Sequence, residues 1–262
     1  MLKIRQYVRV KSLEEAYTLC QKKGNVVLGG MLWLKMQDRP VATAIDLCDL
    51  GLDQIEETET EYRIGAMVSL RQLETSSVLN AFTQNAMAEC LAPIVGVQFR
   101  NLATIGGSLW GKFGFSDPLT LFLALGAKLE FYHRGLVSLA DWLEMSYEPD
   151  ILTHVILPKE PVKVSYQTMR NTATDFPVLT CAVCKKEEGV VCAIGARPAN
   201  AVLFRDEKHI LSKGITAESA DAFAVDIAER AAFGSNMRAS AEYRKKICRV
   251  LVRRALLSNK EA

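Results

Sequence analysis

The sequence has almost no net charge and no long apolar run. Its 32 lysines and arginines stand against 30 aspartates and glutamates, for a formal net charge of +2. Such a balance leaves no overall field to draw in nucleic acid or an anionic membrane. The apolar run at 119–125 is far short of the roughly 20 residues that span a bilayer. Histidine is scarce, and His133, His154 and His209 lie too far apart for paired zinc-ligand spacing. G-x-G-x-x-G, the G-K-[ST] phosphate loop and the G-x-S-x-G elbow are all missing, which argues against a Rossmann site, a P-loop and a serine hydrolase of that type. Repeats and low-complexity segments are lacking too. Residues 1–10 alternate apolar and basic like a strand, without the apolar core of a signal peptide, so the expected location is the cytoplasm.

Cysteine is present in odd number, seven residues scattered over positions 20, 48, 90, 181, 184, 192 and 248. That scatter fits a reducing compartment better than a disulfide framework. Cys181 and Cys184 form the only C-x-x-C pair, with Cys192 nearby. A fourth metal ligand is missing, and within a strand i and i+3 point to opposite faces. The pair therefore reads as two core thiols.

What the sequence does contain is concentrated at 98–127, Q-F-R-N-L-A-T-I-G-G-S-L-W-G-K-F-G-F-S-D-P-L-T-L-F-L-A-L-G-A. Without Cβ atoms, Gly106 and Gly107 can take positive φ and let the main chain approach a ligand. Successive N–H groups in such a turn form an anion site. Asp117 before Pro118 reads as an N-cap opening a helix buried nearly all round. The same residues also suit a loop and core helix with no ligand. Gly29-Gly30 follows the apolar strand 25–28 and echoes Gly106-Gly107, so two loops could face one ligand.

Along the chain, Ser12 with Glu15 forms a capping box for a helix ending at Gly24. Strands are expected at 44–47 and 62–65, a second capping box at Ser69 and Gln72, and a helix over 80–91. Further strands follow at 128–132, 151–158, 162–169, 178–185 and 190–196, with a hairpin at Glu188-Gly189. Helices over 217–233 and 240–258 close the chain. The last carries Lys245, Lys246, Arg249, Arg253 and Arg254 on one side, a solvated face or a subunit contact. At 262 residues the pattern is α+β with two or three lobes, the C-terminal one a few antiparallel strands covered by helices.

Residues 99–108, F-R-N-L-A-T-I-G-G-S, closely resemble the I-R-N-x-A-T-I-G-G-N segment of the flavin-binding subunits of molybdenum hydroxylases such as xanthine dehydrogenase and carbon monoxide dehydrogenase. Residues 27–30, V-L-G-G, are similar to that family's A-G-G-T-D-L loop, and 151–158 to its I-L-x-x-I-x-I-P strand. Residues 238–244, R-A-S-A-E-Y-R, and 252–256 match its ending. The resemblance implies an FAD held by two subdomains of the PCMH/vanillyl-alcohol-oxidase type, at 1–57 and 58–160, with a C-terminal domain at 161–262. It also implies cofactor contacts by Leu28, Gly29, Gly30, Met31 and Leu32, by Asn101, Ala103, Thr104, Gly106 and Gly107, and by Asp117 and Leu152. No catalytic side chain or metal ligand is implied, because the reactive atoms belong to the flavin. The partners implied are a molybdopterin-binding large subunit and a 2Fe-2S small subunit, with NAD as a candidate acceptor.

Two departures stand out. The family's T-D-L is Met31-Leu32-Trp33 here, which removes a hydroxyl and a carboxylate, and its A-S-P-x-G-D is replaced by 112–117, K-F-G-F-S-D. The resemblance implies a relay that takes electrons from the 2Fe-2S clusters of the small subunit and passes them to the acceptor. Two alternatives remain open at this level: a scaffold subunit that has lost its flavin, or a stand-alone small-substrate flavin oxidase.

Overall fold

The alternating start of the chain forms strand β1 (Lys3–Arg9), which runs parallel to β3 (Pro40–Asp46); β3 is also paired with β2 (Val26–Leu28). Between β1 and β2 lies the helix Leu13–Cys20, capped by Ser12, whose hydroxyl accepts the Glu15 N–H at 3.1 Å. The Glu15 carboxylate accepts from the Lys11 N–H rather than closing a reciprocal box on Ser12. The helix stops at Cys20, before Gly24, which turns the chain at φ +86° into β2.

The computed structural model describes residues 1–258 and divides into two compact units. The first comprises Met1–Gln72, Val97–Gly111 and Ala127–Lys159. Besides the parallel sheet it holds an antiparallel sheet of β4 (Ile55–Glu57), β5 (Glu61–Gly65), β6 (Lys128–Phe131), β7 (Gly135–Ser138) and β8 (Leu152–Pro158), in the order β4-β5-β8-β6-β7. β8 lies at the centre and is mostly buried, as its apolar sequence requires. One small core joins Val10, Ala16, Ile45, Leu47, Leu52 and Ile151, and another joins Leu28, Val41 and Ala44.

The second unit comprises Leu73–Gly96, Lys112–Gly126 and the chain from Glu160 onward. Its sheet is built from β9 (Lys163–Arg170), β10 (Pro177–Lys186), β11 (Gly189–Gly195) and β12 (Val202–Arg205), antiparallel throughout. Residues 177–184 of β10 are all buried. Helices Ala217–Arg230 and Ala241–Ser258 share an apolar core with this sheet through Phe223, Ile227, Cys248 and Val252. The helix Asp117–Leu125 packs so closely that a Cβ on Gly195 would meet the Thr120 hydroxyl at 2.1 Å. Among the described residues, no helix is long and apolar enough to cross a membrane.

The α+β organisation and the C-terminal antiparallel sheet are as expected, but local details differ. The single helix expected over 80–91 is two, Ser77–Phe82 and Ala86–Leu91, because Gln84 and Asn85 take φ of +47° and +67° and reverse the chain between them. Gly106 and Gly107 are not in a positive-φ turn: they lie inside the helix Ile105–Trp110. Asp117 is not the N-cap of its helix. Ser116 is, accepting the Leu119 N–H, and Asp117 is the first helical residue. Helix Val97–Leu102 and strand β12 were not anticipated, being too short for a clear periodic signal.

Candidate functional site

A cavity of about 730 Å³ opens in the first unit. Its wall takes Leu28 and Gly29 from the end of β2, Ala66 and Met67 from the end of β5, and Thr104, Gly106, Gly107 and Trp110 from one short helix. Tyr147, Asp150 and Leu152 close it from the approach to β8. Of the residues expected at the cofactor, Leu28, Gly29, Thr104, Gly106, Gly107 and Leu152 are brought together here. Gly30, Met31, Leu32, Asn101 and Ala103 lie in the same unit without lining the cavity, and Asp117 belongs to the second unit.

The two glycine pairs lie against each other, since a Cβ on Gly29 would fall 3.7 Å from the Gly107 Cα, and two of the glycines are needed for packing. A Cβ on Gly30 would fall 1.9 Å from the carbonyl oxygen of Leu102, and one on Gly106 would fall 2.6 Å from that of Ala66. At these positions glycine lets backbone approach backbone. A Cβ on Gly107 would meet only the Thr104 hydroxyl, at 3.2 Å, so that glycine keeps cavity space open.

The N–H groups divide unevenly between the two loops. In the second, Ile105 donates to the Val68 carbonyl and Gly106 to that of Ala66, both at 2.9 Å, and Gly107 donates to the Thr104 hydroxyl at 3.2 Å. These three donors are spent on holding the helix start in place. In the first loop, the N–H groups of Gly30, Met31 and Leu32 donate to no acceptor among the described residues. Met31, at φ +59°, sends its side chain into the core of Leu28, Val41 and Ala44. Its bulk is thus absorbed by the protein.

One wall is aromatic. Trp110 packs on Trp142 at 5.2 Å, on Phe131 at 6.0 Å and on Tyr147 at 6.0 Å between ring centres, and the Tyr147 hydroxyl donates to the Trp110 carbonyl at 2.9 Å. Burial pushes the Tyr147 hydroxyl pKa up. Asp150 is buried and accepts the N–H groups of His133, Arg134 and Ile151, which fixes the segment that carries Tyr147. Cys20 also reaches the cavity, and burial raises its thiol pKa. Sequence reasoning missed Tyr147, Asp150 and Cys20, since each belongs to the wall through tertiary packing. Trp110 belongs to the wall because it stands one helical turn after Gly107 on the same helix.

In the second unit Asp117 is buried, and one of its carboxylate oxygens accepts both from the Tyr166 hydroxyl at 2.7 Å and from Arg170. Burial raises its pKa, against the opposing pull of Arg170 and Tyr166. Cys181 and Cys184 are buried in β10, with Cys181 3.9 Å from Cys192, and no metal-binding cluster occurs among the described residues.

A pocket walled by glycine backbone and aromatic rings, beside a loop whose N–H groups are unspent, is the kind of site that takes an anionic ligand with a planar ring. Comparison with known proteins makes this specific. Residues 2–160 match the family profile described as "FAD binding domain in molybdopterin dehydrogenase", and residues 164–259 match that of "CO dehydrogenase flavoprotein C-terminal domain". The chain belongs to this family of oxidoreductase flavoproteins, and its cofactor is FAD.

Among curated proteins it is 29% identical to the carbon monoxide dehydrogenase medium chain of Afipia carboxidovorans, over 95% of this chain and 94% of that one. It is 26% identical to the nicotine 6-hydroxylase medium subunit of Paenarthrobacter nicotinovorans, over 96% of both. Among solved structures, carbon monoxide dehydrogenase from Hydrogenophaga pseudoflava superposes with a TM-score of 0.88 at 22% identity, covering 98% of this chain and 97% of that one. Quinoline 2-oxidoreductase from Pseudomonas putida 86 also gives 0.88, at 20% identity, covering 98% and 96%. Both structures share the fold.

The residues present fit the cofactor. The volume lies within the range of roughly 300–1,000 Å³ usual for ligand pockets. Gly29 opens the wall onto the loop whose N–H groups are unspent, and Trp110 and Tyr147 supply ring surface.

Proposed function

We propose that this chain is the medium, FAD-carrying subunit of a molybdenum hydroxylase. In this reading it receives electrons from the 2Fe-2S clusters of a small subunit and passes them to an acceptor such as NAD. A molybdopterin-binding large subunit carries the substrate chemistry, and the complex works in the cytoplasm. The observation that carries the reading is the first unit's cavity, walled by Gly29, Gly106 and Gly107 and by Trp110 and Tyr147, within a chain that aligns nearly end to end with medium subunits of such enzymes. The flavin, when bound, supplies the two-electron and one-electron chemistry that lets it join such partners.

The protein's own residues bind and exclude. Gly29 and the loop after it would take the phosphate end of the ligand, and Gly107 keeps space for it. Trp110, Tyr147 and Leu152 shield its apolar surface from water. The wider site we propose retains Asn101 and Ala103, in the same unit, as further cofactor contacts implied by the family resemblance. The three sheets, within residues 3–46, 55–158 and 163–205, support a division into flavin subdomains at 1–57 and 58–160 and a C-terminal domain at 161–262.

Purification of the chain with the products of its neighbouring genes tests the assignment. Bound FAD released on denaturation, together with a molybdopterin subunit and a two-cluster iron–sulfur subunit, is the expected result. A colourless chain that takes up no added FAD refutes it.

A further inference from the structure

We infer that Arg39 is the charge partner of the cofactor's diphosphate in this chain, supplying what Met31 and Leu32 do not. This rests on FAD occupying the first unit's cavity. A diphosphate moved out of water needs donors or cations to replace its hydration. The second loop has spent the N–H groups of Ile105, Gly106 and Gly107 on Val68, Ala66 and Thr104. The first loop offers neutral N–H groups, while its two side chains after Gly30 are apolar, and Met31 is turned into the core.

Among the described residues three charged side chains line the cavity, and two are committed. Glu148 is engaged by Arg134, and Asp150 accepts three main-chain N–H groups. Arg39 is the third. Its guanidinium has no hydrogen bond or ion pair among the described residues, so the one uncommitted charge on the wall is positive. The main chain at its base is fixed on both sides. The 3₁₀ turn Leu34–Met36 precedes it, the Lys3 N–H donates to its carbonyl at 3.4 Å, and β3 begins at Pro40. A free guanidinium on an anchored base can close on phosphate oxygens with paired N–H donors, a geometry a lysine ammonium does not reproduce. An exposed arginine serving only as solvated surface would leave cofactor affinity unchanged on removal.

FAD titration of the flavin-stripped full chain, followed by flavin fluorescence at low and high ionic strength, separates the two roles. Arg39→Gln is expected to keep the wild-type Tm, because the side chain holds nothing in the fold. It should bind FAD about tenfold more weakly at low salt, the loss of roughly one charge-assisted hydrogen bond. The wild-type protein should lose affinity as salt rises, Arg39→Gln should lose much less, and Arg39→Lys should fall between them. Wild-type affinity in Arg39→Gln, or an unchanged salt response, overturns the role of Arg39 alone. Failure of the wild-type chain to bind FAD overturns the cofactor's placement as well.

Discussion

A Cβ on Gly30 would lie 1.9 Å from the carbonyl oxygen of Leu102. The first glycine loop and the helix Val97–Leu102 are therefore in backbone contact, and neither can move without the other. Gly30→Ala should cost at least about 1–3 kcal/mol, because the obstacle is main chain rather than a flexible side chain. Gly107→Ala meets only the Thr104 hydroxyl at 3.2 Å and should keep most of its stability while weakening FAD binding. Thermal melts with and without FAD check both. Equal destabilisation by the two substitutions would contradict the distinction drawn between packing glycine and cradle glycine.

Arg244 is 1% exposed and meets no carboxylate among the described residues: it donates to the carbonyls of Val178, Gly234 and Ala239 and to the Asn236 amide oxygen. Burial lowers its pKa, the sign expected for a cation held without a counter-ion. Arg244→Met leaves four acceptors without their donor, and should lower the unfolding free energy by about 3 kcal/mol in a denaturant titration. A change near zero would show that water replaces the guanidinium.

Asp117 should give the second unit a pH signature. Its folded-state pKa is raised, with burial the leading cause, so the folded chain holds this proton to higher pH than the unfolded chain does. The group's contribution is most favourable below its unfolded value of about 4 and falls as pH rises through the folded value. Relative to Asp117→Asn, the wild-type protein should lose stability across that window and then run parallel to it. Tyr166→Phe removes a donor to the carboxylate, which should raise the Asp117 pKa further and cost about 1 kcal/mol. Unfolding free energies measured across pH decide both points.

Cys20 offers a direct report on the cavity. It is half-buried in the wall, Cys48 is exposed, and Cys90, Cys181, Cys184, Cys192 and Cys248 are buried. A maleimide should label Cys48 and Cys20 in the native chain and leave the buried five unlabelled. Labelling of Cys20 should accelerate as pH rises toward its elevated thiol pKa. Bound FAD should slow Cys20 and leave Cys48 unchanged. Equal protection of both, or of neither, would place the ligand elsewhere.

The candidate site was partly legible because several of its members stand together in sequence. Thr104, Gly106 and Gly107 sit on a single helical turn, and Leu28 and Gly29 end a strand, so motif and geometry coincide. The hydroxyl cap was also readable in kind, but its position was not: Asp117 and Ser116 are both good caps, and only the Leu119 N–H distinguishes them. Gly106 and Gly107 show the opposite case. Glycine permits a left-handed turn, and whether it is used for that or for close packing depends on what lies across from it. The opposing group here is the Ala66 carbonyl, 40 residues earlier in the chain.

The α+β alternation, the two glycine loops and the family were readable from the residues alone, because these rest on periodicity and on contiguous motifs. Which N–H groups remain available to a ligand emerged only from the packed chain. It also showed that Met31 is turned into the core, that Tyr147 and Trp110 share a wall, and that Arg39 is left with an uncommitted charge. Each of those depends on partners distant in sequence, and a hydrogen-bond donor is free or spent only once the acceptor beside it is known.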